Sequence, residues 1–203
     1  MYKKYMKRII DFTLALIGLV VLSPLFLVLV ITIKIESKGS IIFSQKRIGK
    51  NKKYFNIYKF RTMKMNTPKE TPTHLLENPD IFITKIGKIM RKTSLDELPQ
   101  IINILKGEMA IVGPRPALWN QYDLIEERDK YGANDIRPGL TGWAQINGRD
   151  ELEIDSKALL DGEYKMKESF YMDMKCILGT MVSVVKTEGI IEGKSNKYNK
   201  LSK

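Results

Sequence analysis

Residues 14–33 read LALIGLVVLSPLFLVLVITI, twenty residues without a charged side chain. As one straight helix, at ~1.5 Å per residue, this stretch would reach across a ~30 Å hydrocarbon core. Ser23-Pro24 falls at its centre. Proline has no N–H for the helix ladder and clashes with the preceding turn, so a break is expected there. Each half then reaches only about 15 Å. Both flanks are basic, with Lys3, Lys4, Lys7 and Arg8 before and Lys34 and Lys38 after. Lys and Arg tend to stay on the cytoplasmic side, which favours both ends on one face. The expectation is a re-entrant helix-break-helix over residues 1–38, anchoring the chain without crossing. A kinked helix that does span stays open from these features alone. A cleaved signal peptide fits less well, because Lys34-Ile35-Glu36-Ser37-Lys38 follows instead of a small-x-small site.

The remainder is water-soluble in character. The chain has 203 residues, 43% hydrophobic and 28% charged, which suits one compact domain and excludes a disordered or collagen-like chain. There is one cysteine, Cys176, and one histidine, His74. An intramolecular disulfide is excluded, and Cys/His zinc chemistry or a histidine-dependent nucleophile has little to work with. Catalysis, if present, rests on carboxylates, Lys/Arg and an oxygen-ligated metal. The net charge of +11 is uneven. Residues 1–69 hold fifteen Lys/Arg against two acids, Asp11 and Glu36, giving +13; the rest hold nineteen against twenty-one, giving −2. A basic N-terminal third suits anionic lipid, a phosphorylated substrate or nucleic acid. No P-loop, dinucleotide fingerprint, helix-turn-helix or ribonucleoprotein-type aromatic motif is present.

Along the chain, residues 41–45 and 54–60 are short β-rich runs around a basic turn at 46–53, which predicts a hairpin. Residues 66–80 hold three prolines and read as a loop. Apolar spacing predicts an amphipathic helix over 81–92 and another from Leu98 to a C-cap at Gly107. Residues 118–131 read as a charged surface helix, 137–149 as a glycine-punctuated loop, and 159–186 as helical with interruptions near Gly162 and Gly179. The fold class is therefore α+β and helix-rich: an anchor at 1–38, a catalytic domain at 39–192 and a flexible Lys-rich tail at 193–203.

Several short motifs carry chemistry. Ser94-Leu95-Asp96-Glu97 matches a capping box, in which Glu97 would reach back to Ser94. Equally, two adjacent carboxylates behind Arg91 and Lys92 could hold a metal ion and a phosphate, and an ionised Asp96 could attack phosphorus. Lys59 and Arg61 alternate with aromatic residues, so a strand would put both cations on one face, either as a solvated edge or as a phosphate contact. Gly113-Pro114-Arg115-Pro116 fixes an arginine between prolines. A turn does not need that arginine, whereas bidentate phosphate recognition does. Arg137, Gln145 and Arg149 mark the glycine-rich loop. Asp161 and Asp173 lie over 100° apart on a regular helix and read most simply as solvated helix carboxylates.

In this order, the stretch broken at Ser23-Pro24, Lys59-Phe60-Arg61-Thr62-Met63, Ser94-Leu95-Asp96-Glu97-Leu98-Pro99-Gln100, Gly113-Pro114-Arg115-Pro116 and the run from Arg137 to Arg149 resemble the bacterial sugar transferases. These are the small monotopic polyprenol-phosphate phosphoglycosyl transferases. The resemblance covers about residues 3–190 and points to the short form, similar to the enzyme that starts bacterial N-glycan assembly. It implies transfer of a phospho-sugar from a UDP-sugar to undecaprenyl phosphate, with release of UMP and with Mg²⁺, at the cytoplasmic face of the bacterial inner membrane. It implies Asp96 as nucleophile, with Glu97 and Asp96 at the metal, and Arg115 on the nucleotide or its phosphates. Lys59, Arg61, Arg91, Arg137, Gln145 and Arg149 would line the substrate, and Asp173 would support the metal site. The implied partners are the UDP-sugar, undecaprenyl phosphate and membrane lipids, not nucleic acid; a homo-oligomer and downstream glycosyltransferases are compatible with it. Two other classes compete: a membrane-tethered module binding anionic lipid or nucleic acid, and a scaffold subunit of a polysaccharide assembly complex.

Overall fold

The computed structural model describes residues 1–64, 67, 79–148 and 152–186. Most of the Pro-rich stretch at 66–80, with His74, lies outside these residues, as do Arg149 and the tail at 193–203.

A single π-helical turn, Tyr2–Met6, leads into α1 (Lys7–Val21) and, after Leu22 alone, α2 (Ser23–Glu36). The two axes are bent by 61°. The break falls where the proline predicts it. Pro24 sits in the first turn of α2, where a missing N–H costs nothing, and Ser23 Oγ donates to the Val20 carbonyl at 2.8 Å. Among the described residues no single helix is long and apolar enough to cross a membrane.

One face of this pair is buried against the domain. Lys7, Asp11 and Ala15 recur every fourth residue on the inward face of α1. Ala15 joins Ile57, Ile101, Ile104 and Met109 in one core cluster, with Leu19, Leu22 and Phe26 packed onto it. Leu29 and Ile33 of α2 join Phe60 and Met90 in a second. The outer face leaves Phe12, Leu16, Ile17, Val20, Val21, Leu27, Val28 and Ile31 exposed.

Both ends of the pair are tied to the same domain. At the start, Lys7 Nζ lies 2.6 Å from Asp173 Oδ2, and Tyr2 donates to the same oxygen at 2.5 Å. Breaking one side of a pair this buried costs about 3–5 kcal/mol. At the end, the Glu36 carboxylate accepts the N–H groups of Lys85 (2.6 Å) and Ile86 (3.1 Å). Arg61 adds bonds to the Ser37 and Lys38 carbonyls at 2.8 and 3.0 Å.

The hairpin forms as predicted but is longer. β1 (Ile42–Ile48) pairs antiparallel with β2 (Tyr54–Phe60), from Ile42 opposite Phe60 to Ile48 opposite Tyr54. Lys46 and Arg47 are thus strand residues, and the turn contracts to 49–53. The helix expected at 81–92 is split into α3 (Pro79–Phe82) and α4 (Lys85–Lys92). Ile83 bridges to Met63 between them, and Thr84 caps α4 by accepting the Gly87 N–H at 3.0 Å. α5 (Gln100–Lys106) ends at Gly107, whose φ of 82° is the left-handed cap the sequence predicts.

The glycine-rich loop contains regular structure that its sequence hides. β3 (Ala110–Val112) pairs parallel with β4 (Gly139–Thr141), and α7 (Trp143–Ile146) follows. A Cβ on Gly139 would lie 2.1 Å from the Gly113 nitrogen, so glycine there serves backbone contact. Between the strands, α6 (Tyr122–Lys130) starts four residues later than expected. The late helical segment is α8 (Ile154–Lys167) and α9 (Phe170–Lys186), broken at 168–169 and not at either glycine. Gly162 and Gly179 are contact points, against Tyr131 and Ile146. Asp161 and Asp173 are both buried, which corrects the solvated reading. Asp161 Oδ2 accepts Arg128 Nε and Nη2 at 2.8 and 2.6 Å, stapling α6 to α8.

Candidate active site

Ser94 adopts φ 57°, a left-handed conformation unusual for a residue with a Cβ. It turns the chain sharply into a single 3₁₀ turn, Leu95–Glu97. Leu95 and Leu98 pack into the cluster of Leu29, Ile33, Phe60 and Met90. The carboxylates between them face the hairpin instead. No capping box forms: Ser94 makes no cap bond, and α5 begins only after Pro99. The physical reason is that stronger partners claim Glu97. Lys59 Nζ donates to its Oε1 at 2.7 Å, and Arg115 Nη2 reaches the same oxygen at 3.1 Å.

Asp96 is held differently. It is equally buried, yet it receives no hydrogen bond from another described residue; its nearest cation is Lys59 Nζ, 4.0 Å from Oδ2. The side chain keeps 13% of its surface exposed, so its oxygens can be met by water or a ligand. The titration behaviour of the two groups divides accordingly. Burial pushes the Asp96 carboxyl up, the Glu97 charge adds to the push, and Lys59, Arg91 and Arg115 oppose it. For Glu97 burial acts in the same direction, but the ion pairs with Lys59 and Arg115 outweigh it and hold the group far below the carboxylate range. Adjacent acids with opposed environments are a common arrangement for dividing chemical roles.

Of the residues singled out in the sequence, the fold brings Asp96, Glu97, Lys59 and Arg115 together. Arg91 acts electrostatically on Asp96 while its Nε donates to Thr62 Oγ1 at 2.9 Å. Others serve elsewhere. Arg61 closes the end of α2. Arg137 Nε donates to the Gly107 carbonyl at 2.9 Å, at the far end of α5. Gln145 Nε2 donates to the Leu140 carbonyl at 3.1 Å, and its Oε1 is buried without a partner. Asp173 binds Lys7, Tyr2 and Tyr164, not the dyad. Arg149 lies outside the described residues.

One site residue escapes the sequence reading. Arg47 lies on the hairpin face of Lys59, since strand pairing sets Arg47, Gln45 and Phe43 opposite Phe55, Ile57 and Lys59. It feels both Arg115 and Glu97. Extending β1 through Ile48 and applying the two-residue period would have found it.

The chain is similar to known proteins over nearly its whole length. The family model described as bacterial sugar transferase matches residues 2–187. The sugar transferase EpsL of Bacillus subtilis is 37% identical over 91% of this chain and 90% of its own length. The UDP-glucose:undecaprenyl-phosphate glucose-1-phosphate transferase of Escherichia coli is 39% identical over 88% of this chain. The UDP-N-acetylgalactosamine-undecaprenyl-phosphate N-acetylgalactosaminephosphotransferase of Aeromonas hydrophila is 36% identical over 82%. The chain spans about two fifths of the length of these last two, 40% and 38%.

The raised Asp96 carboxyl carries a stability prediction. Its contribution to stability is present at low pH and lost as pH rises through the folded value, because the folded protein holds this proton more tightly than the unfolded chain. At pH 7 the buried charge is therefore a cost, and Asp96→Asn should unfold at the same or a higher temperature than the parent. That advantage should shrink as pH falls toward about 4, the ordinary carboxylate range. A loss of about 1 kcal/mol at pH 7 would instead mean that the Asp96 charge stabilises the turn.

Proposed function

The chain belongs to the bacterial sugar transferase family, and on that premise we propose that it transfers a phospho-sugar from a UDP-sugar to undecaprenyl phosphate, releasing UMP, through a covalent phospho-aspartyl intermediate. The observation that carries this is the divided dyad: Glu97 takes two cations on one oxygen, and Asp96 beside it takes no hydrogen bond from the described residues.

Asp96 attacks the sugar-bearing phosphorus, and the bond from that phosphorus to the bridging oxygen breaks. UMP leaves with the oxygen, and the phospho-sugar remains on the aspartate. A phosphate oxygen of undecaprenyl phosphate then attacks the same phosphorus, the acyl phosphate bond breaks, and free Asp96 is restored. No histidine is required. Desolvation makes the ionised Asp96 a stronger nucleophile than one in water, and Lys59, Arg91 and Arg115 supply positive charge where the diphosphate must lie. Arg115 is about a third exposed, as a substrate-facing guanidinium requires.

The donor set also suits Mg²⁺. Both cations use Glu97 Oε1, and among the described residues none donates to Glu97 Oε2 or to Asp96. Among the described residues no cluster of three or more ligating side chains occurs. Two carboxylates plus substrate phosphates are the usual ligands of Mg²⁺ at phosphate sites. Bound there, the ion would offset phosphate charge. We further place the protein on the cytoplasmic face of the bacterial inner membrane, with the exposed side of α1 and α2 in lipid. A spanning helix would separate its ends, whereas Lys7 and Glu36 bind the same domain.

Purified protein with Mg²⁺ and undecaprenyl phosphate should release UMP from at least one UDP-sugar in a panel, and a chelator should abolish it. Arg115→Lys should lose about tenfold or more, because the fork is lost although the charge remains. Full activity in either case would contradict these assignments. For the topology, single cysteines at Lys4 and Lys38 in a Cys176→Ser background should both be shielded from an impermeant thiol reagent in intact cells. Labelling at one end only would mean that the helix spans.

A further inference from the structure

Arg47 has no task in the mechanism above, yet it lies half-buried beside it, with its Nε fully enclosed. β1 is paired on one side by β2. Its other side is covered by the segment after the Gly-Pro-Arg-Pro motif: Arg47 bridges to Leu118, and the Ile48 N–H donates to the Ala117 carbonyl at 3.0 Å. Arg47 fastens this strap next to its key residue. Nη1 donates to the Pro116 carbonyl at 3.0 Å, and Nη2 to Gln45 Oε1 at 2.7 Å. Pro114 and Pro116 have no N–H of their own, so the chain on either side of Arg115 is held through carbonyls.

The arrangement is expensive for mere packing. Burial, first, and the Arg115 charge, second, pull the Arg47 guanidinium down to about 10. Its Nε is buried without a hydrogen-bond partner. A half-buried cation beside a like charge, with one buried donor unsatisfied, costs stability unless the position has another use. A lone strap-to-strand contact would be served by an apolar residue.

We propose that Arg47 is a positioning residue for Arg115: by gripping the Pro116 carbonyl it locks residues 113–119 to β1 and keeps the Arg115 guanidinium at Glu97. One face of the hairpin thus delivers two cations, Lys59 directly to the dyad and Arg47 through the strap. That Arg115 binds substrate phosphate rests on the proposed function; that Arg47 holds the strap does not.

The test uses full-length Arg47→Lys, Arg115→Lys and the double variant in lipid nanodiscs. Lysine keeps the charge but cannot reach Pro116 and Gln45 together. Backbone hydrogen exchange over 113–121 should be about tenfold faster in Arg47→Lys, with α8 and α9 unchanged. Unchanged exchange in the strap overturns the proposal, and so does a rise spread over the whole domain, which would make Arg47 a general core residue. In UMP release, Arg47→Lys should cost about tenfold in kcat/KM, and the double variant should be no worse than Arg115→Lys. Losses that multiply would mean that Arg47 acts independently of Arg115, also overturning it. If the parent protein released no UMP from any UDP-sugar, the assigned reaction would fail while the exchange experiment still decided the role of Arg47.

Discussion

Glu97 Oε1, with Lys59 Nζ at 2.7 Å and Arg115 Nη2 at 3.1 Å, is where three separate parts of the chain meet. Lys59 comes from the hairpin, Arg115 from the strap after β3, and Glu97 from the turn before α5. Each cation lies where the fold of its own element puts it, and the carboxylate is ionised because both are present. This bridge leaves Asp96 as the acid without a dedicated partner. The chemistry assigned to the pair follows from that inequality and not from the mere adjacency of two acids.

The bent N-terminal pair supports the same centre from beneath. Ala15 and its neighbours pack on Ile101 and Ile104 of α5, the helix that follows the dyad. Arg8 donates to the Ile104 and Leu105 carbonyls at 2.6 and 2.9 Å, and Arg137 to Gly107, so the far end of α5 is fixed by both the helix pair and the domain. Asp11 accepts the Ile111 N–H at 3.1 Å, and the Tyr164 hydroxyl reaches the Val112 carbonyl at 3.1 Å and Asp173 at 2.6 Å. These contacts hold β3, which leads directly into Gly113 and the Arg115 strap. The helix pair and the dyad belong to one packed unit.

Much of this was legible from local rules. The Ser23-Pro24 break, the hairpin and the Gly107 cap follow from proline geometry, β-periodicity and capping rules, whereas the gathering of Lys59, Asp96, Glu97 and Arg115 at one site was implied only by the family resemblance. What failed did so where tertiary contact overrides a local signal. Ser94 and Glu97 match a capping box, but two cations from distant elements win Glu97. The glycines at 139 and 142 suggest a loop, yet Gly139 serves close backbone approach in a parallel pair that no short-range pattern reveals. Asp161 and Asp173 read as solvated because their partners, Arg128, Lys7 and Tyr2, are remote in sequence. Arg61 and Arg137 have the charge expected of phosphate ligands, and in this structure both guanidinium groups donate to helix-end carbonyls.

The central claim is that Asp96 is the nucleophile and Glu97 its permanently ionised neighbour. Intact-protein mass spectrometry after mixing the enzyme with a UDP-sugar it uses, in the absence of lipid acceptor, addresses this directly. The account predicts a protein heavier by one phospho-sugar, with the added mass on the peptide carrying Asp96, lost in Asp96→Asn and discharged by undecaprenyl phosphate. An adduct on Glu97, or an active enzyme that never carries the added mass, would contradict it.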